Sequence, residues 1–143
     1  MCAHSRRAVL ALLAGFAGWR PAFAADRTHA LFVSVAFAMK ERAVENGDQP
    51  YGAVVVLNGD VIGYGPSRVV TNRDPAAHAE REAIRDAQVK LNRRNLSDCV
   101  MYSTSRPCGN CEGAAANANI ARMFYGADAT DAGRPRSASG PTR

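Results

Sequence analysis

Two short stretches of this 143-residue chain carry side chains that could do chemistry together. Pro107-Cys108-Gly109-Asn110-Cys111 sets two thiols three residues apart beside a proline suited to the start of a helix. The dipole and free N–H groups at a helix start favour thiolate over thiol, and the spacing puts both sulfurs on one side of the turn. Asp74-Pro75-Ala76-Ala77-His78-Ala79-Glu80 reads as a second helix start, with an imidazole and a carboxylate two residues apart. Zinc held by His78, Cys108 and Cys111 would have three protein ligands and an open fourth position, the mark of catalytic rather than structural zinc. Helical spacing alone turns Glu80 away from His78, but first-turn side chains can converge on a point beyond the helix end. A carboxylate there is suited to take a proton from water and return it to a substrate.

Simpler readings compete. A Cys-x-x-Cys pair at a helix start also fits a thioredoxin-like redox site, which leaves His78 and Glu80 without a role. A structural zinc module needs a fourth ligand, yet Cys99 falls inside a predicted strand as a small core residue and His29 reads as solvated surface.

The elements that must position these residues alternate between helix and strand. From Thr28 to Asn46, Leu31, Val35 and Met39 recur at four-residue steps with Phe32 and Ala36 beside them, which predicts an amphipathic helix ended by Gly47-Asp48. Gly52 to Leu57 is a β-branched run suited to a central strand, and Asn58-Gly59 predicts a type I′ turn into a hairpin partner over Val61 to Tyr64. Asp74-Pro75 should open a helix buried along Ala79, Ala83, Ile84, Ala87 and Leu91. Cys99 to Ser103 is a short strand, Pro107 opens the next helix, and Arg122 to Gly126 forms a strand parallel to the one before it. The expectation is an α/β domain over residues 25 to 126 with a mixed sheet whose first two strands are antiparallel.

The ends read differently. Ser5-Arg6-Arg7, the apolar run Ala8 to Gly18 and the small-residue site Ala22-Phe23-Ala24 have the layout of an export leader of the twin-arginine type over residues 1 to 24. The run of eleven residues falls short of the roughly 18 that a spanning helix needs, so a cleaved leader is expected, with no stable membrane anchor. That would place the mature protein in the periplasm or outside the cell. Residues 127 to 143 are rich in Gly, Pro, Ser and Arg without apolar period, and are expected to be a disordered tail. Of the net charge of +5, residues 1 to 24 hold +3 and the tail +1, leaving +1 on the domain itself. So slight an excess argues against a phosphate-tracking surface, and no nucleic-acid partner is expected.

His78-Ala79-Glu80 followed by Pro107-Cys108-Gly109-Asn110-Cys111, together with "PYGAVVV", "GDVIGYG", "DPAAHAE" and "ARMFYGA" in order, resembles the zinc-dependent cytidine and deoxycytidylate deaminase superfamily, nearest to its bacterial guanine deaminase and tRNA adenosine deaminase branch. The resemblance runs from about Thr28 to Gly126. It implies a three-layer α/β/α sandwich, zinc on His78, Cys108 and Cys111, Glu80 as proton shuttle, and often a homodimer. It also implies that Tyr51, Ser67 and Ala79 line the substrate site, with Ser67 standing where the branch usually carries a base-reading asparagine and Arg106 where it often carries glutamate. The family continues past this point with a further strand or helix, so a C-terminal element looks missing. The function implied is hydrolytic deamination of a free nucleobase, nucleoside or related aminated heterocycle with release of ammonia. A deaminase fold with impaired catalysis, kept for binding a ligand or partner, is the alternative.

Overall fold

The computed structural model describes residues 22–137, so the leader expected over residues 1 to 24 lies almost wholly outside the described residues. Eight elements follow in order: α1 (Ala22–Glu45), β1 (Gly52–Leu57), β2 (Asp60–Pro66), α2 (Ala79–Leu91), β3 (Cys99–Ser103), α3 (Gly109–Asn117), β4 (Arg122–Tyr125) and β5 (Thr130–Gly133). Asn58 and Gly59 both have positive φ, 51° and 87°, which is the backbone a type I′ hairpin turn requires. The sheet runs β2-β1-β3-β4-β5, with β3 and β4 parallel and the other neighbours antiparallel.

Alternation along β1 splits the core in two. Val54 and Val56 face α1 with Phe32, Val33, Ala36 and Tyr102, while Ala53 and Val55 face α2 and α3 with Ala83, Ile84, Leu96, Met101, Ala115, Ile120 and Met123. The result is the expected three-layer α/β/α sandwich. Close approach on both faces depends on glycine. A Cβ on Gly52 would overlap the backbone of α1 at Ala36 and Lys40, and one on Gly65 would overlap the Ala79 carbonyl and the Ala83 nitrogen of α2.

Four expectations need correction. The buried residues of α1 are Phe32, Val33, Ala36 and Ala43, with Val35 and Met39 partly buried against the same core and Leu31 exposed, so of the predicted face Leu31 alone falls outside. Asp74-Pro75 and Pro107 do not begin helices: Asp74 Oδ1 accepts the Ala76 N–H in a local turn, and each helix is capped later, at His78 and at Cys108. His29 is not simple solvated surface, since its Nδ1 shares a 2.8 Å hydrogen bond with the buried Tyr102 phenol and its ring packs on Phe124. Thr130–Gly133, read as part of a disordered tail, forms β5 against β4. An edge strand needs backbone partners rather than an apolar period, and Asp131 reinforces it by accepting from the Arg122 guanidinium at 3.1 Å.

No helix among the described residues is long and apolar enough to cross a membrane.

Candidate functional site

Both β2 and β3 are antiparallel to β1, so they run in the same direction and their C-terminal ends lie on one edge of the sheet. The helices that follow them, α2 and α3, therefore begin at that edge, where α/β sheets characteristically bind ligands. His78 and Cys108 are the N-cap residues of these two helices, in nearly identical extended conformations (φ −65° and ψ 153°; φ −70° and ψ 165°). Neither side chain caps its own helix, and each residue's carbonyl accepts the first helical bond, from Glu82 N–H and Glu112 N–H respectively. Both side chains are thus free to project beyond the helix ends toward each other.

They meet as the sequence predicts. His78 Nδ1 lies 3.7 Å from Cys108 Sγ and 3.4 Å from Cys111 Sγ. Tetrahedral zinc with ordinary Zn–N and Zn–S bonds sets an N···S edge of about 3.6 Å, midway between these separations. All three donor atoms fall within 4.8 Å of one another, and among the described residues the group has three members. Cys99 is buried in the α2/α3 core, away from this group. A soft nitrogen and two sulfurs at these separations are a zinc donor set with one coordination position left over.

Helix position alone suggests easily ionised thiols, but Cys111 behaves otherwise. It is fully buried, and burial first, then the neighbouring Glu80 carboxylate, push its thiol well above the ordinary range. A divalent cation is what would stabilise the thiolate here, so metal uptake is coupled to proton release.

Glu80, 7% exposed, lines the same cavity as His78 and Cys108. That cavity, of about 270 Å³, is also lined by Tyr51, Ser67 and Ala79, the other site residues singled out in the sequence, and by Gln49, Ser105 and Arg106. Tyr51 is an exposed ring at the rim, whereas Ser67 is 2% exposed.

One residue that spacing does not reveal organises this wall. Asp48 sits just past the end of α1, its N–H bonded to the Ala43 carbonyl. Its Oδ1 accepts the Gln49 N–H at 2.8 Å and the Ser67 hydroxyl at 2.9 Å, and its Oδ2 accepts the Val70 and Thr71 N–H groups at 3.0 and 2.8 Å. Burial would raise its pKa, but these bonds, from Thr71, Gln49 and Ser67, outweigh it and hold the carboxyl at about 2. The sequence shows Asp48 only as part of a helix stop, nineteen residues from Ser67.

The family model for the cytidine and deoxycytidylate deaminase zinc-binding region matches residues 26–127. Guanine deaminase of Bacillus subtilis is 40% identical over 105 residues, covering 73% of this chain and 67% of that protein. The tRNA-specific adenosine deaminase of Aquifex aeolicus is 36% identical over 96 residues, covering 67% of this chain and 64% of that protein. The crystal structure of the Bacillus subtilis guanine deaminase superposes with a TM-score of 0.66 at 39% identity, over 69% of this chain and 64% of that one. The chain thus spans about two thirds of the length of these relatives.

Proposed function

The chain belongs to the cytidine and deoxycytidylate deaminase family, and from that premise we propose that it is a zinc-dependent aminohydrolase of a free nucleobase, nucleoside or related aminated heterocycle, releasing ammonia. The observation that carries this reading is that His78 and Cys108 meet Glu80 on one cavity of about 270 Å³, with the buried Cys111 completing the donor group behind them. When bound by those three residues, zinc would lower the pKa of a water at the reacting carbon. Glu80 takes a proton from the attacking water and delivers it to the ring nitrogen beside the amino-bearing carbon. It then passes the second proton to the departing amine, so that water and an amidine become a carbonyl and ammonia. The cavity walls contributed by Tyr51, Ser67 and Ala79 hold the ring in place, and the burial of Glu80 keeps bulk water from competing for its proton.

The guanine deaminase and tRNA-specific adenosine deaminase relatives leave two substrate classes in view. The nearly neutral domain, with +1 over residues 25 to 126, favours the small molecule over RNA. In this reading residues 1 to 24 direct the protein to the periplasm or beyond, away from cytoplasmic tRNA, and the active unit is a homodimer. Ammonia release should be measured against cytosine, adenine, guanine, their nucleosides and an adenosine-bearing tRNA. Turnover of a base or nucleoside with none on tRNA is expected; turnover on tRNA alone would overturn the substrate assignment.

A further inference from the structure

We propose that Asp48 is a positioning residue that fixes Ser67 as a hydrogen-bond acceptor in the cavity wall, so that the site selects a heterocycle presenting an N–H group to that wall. The inference rests on the cavity being the substrate site and adds which hydrogen-bond polarity it reads. A serine hydroxyl has one proton to donate and two lone pairs. The ionised Asp48 carboxylate can only accept, so the Ser67 proton is committed to Asp48 Oδ1 over their 2.9 Å contact. What Ser67 retains for a ligand is acceptor capacity alone.

The commitment is rigidly held. Ser67 is 2% exposed, and its N–H donates to the Tyr51 carbonyl at 3.0 Å, tying it to the neighbouring wall residue. Asp48 is itself fixed by three backbone donors, Gln49, Val70 and Thr71. Rotation of the carboxylate away from Ser67 would leave at least one of these unpaired in a part-buried setting. Asp48→Asn should reverse the polarity. Val70 and Thr71 would keep the amide oxygen on their side, the amide N–H₂ would face Ser67 Oγ and donate to it, and the freed Ser67 proton would turn toward the cavity.

The test uses the full chain loaded with zinc, with binding read by calorimetry. The probes are ligand pairs differing by one N–H: cytosine, adenine and guanine, each against its ring-N-methyl derivatives. In the wild-type protein, loss of one such N–H should weaken binding by at least about tenfold, the scale of one hydrogen bond to a buried group. Ser67→Ala and Asp48→Asn should each reduce that penalty to about twofold or less, and the double variant should add nothing further. A wild-type protein without such discrimination overturns the inference. So does Asp48→Asn protein with lowered stability and unchanged discrimination, which would make Asp48 a structural latch only. Should Asp48→Asn fail to fold, retained discrimination in Ser67→Ala is equally decisive against it. Ammonia is assayed on the same samples. Discrimination without ammonia release defeats the deaminase reading while this inference stands, and ammonia release without discrimination does the reverse.

Discussion

His78 and Cys108 occupy equivalent positions, each the last extended residue before a helix and each with its side chain left out of capping. Their types and the spacing to Glu80 and Cys111 made the donor set legible in the sequence, because two short motifs contain all of it. Removing a ligand should therefore act on the metal: Cys111→Ser is expected to weaken zinc binding by at least about a hundredfold, read by competition with a chromogenic chelator, and unchanged affinity would remove Cys111 from the donor set. Asp48 was not legible, since its partners Ser67, Val70 and Thr71 are distant in sequence and belong to loops without period. Its carboxyl sits at about 2 in the folded chain against an ordinary 3.8, so the ionised form stabilises the fold above about pH 4. That contribution, about 1–2 kcal/mol, is lost as pH falls from about 4 toward 2. Asp48→Asn should accordingly cost about that much at pH 7 in urea denaturation, and the difference from wild type should shrink toward zero near pH 2. A gap independent of pH would show that charge plays no part.

At the scale of elements, the hairpin was readable because Asn58-Gly59 needs positive φ at both positions, and β1 because an unbroken β-branched run suits a strand covered on both faces. The helix starts were misplaced for a physical reason. Asp74-Pro75 has the chemistry of a cap, but its side chain closes a turn instead, and the helix begins only after His78, whose own extended backbone lets the imidazole leave the helix axis. Strand β5 was missed because edge pairing leaves little mark in composition. How closely α2 seats on the sheet is set by small residues on both sides, Gly63 and Gly65 against Ala79, Ala83 and Ala87. Gly65→Val should thus destabilise the protein by about 3 kcal/mol or more and lower zinc occupancy with it, since a displaced α2 carries His78 and Glu80. Wild-type stability in that variant would show that the helix can move without cost.

The molecule as a whole uses its two cores differently. One, beneath α1, backs the sheet with aromatic and branched residues; the other fixes α2 and α3 so that their first turns face each other across the ends of β2 and β3. The metal group and the cavity sit where those turns meet, and family membership over residues 26–127 coincides with this assembly rather than with either end of the chain. In the proposed mechanism these first turns hold zinc with His78, Cys108 and Cys111 while Glu80 does the proton transfer. It is tested most directly by measuring zinc per chain and ammonia release together for the wild-type protein and Glu80→Ala. One zinc in each, with turnover in the variant reduced by about three orders of magnitude or more, is the predicted result. A zinc-loaded Glu80→Ala protein turning over at close to the wild-type rate would contradict it.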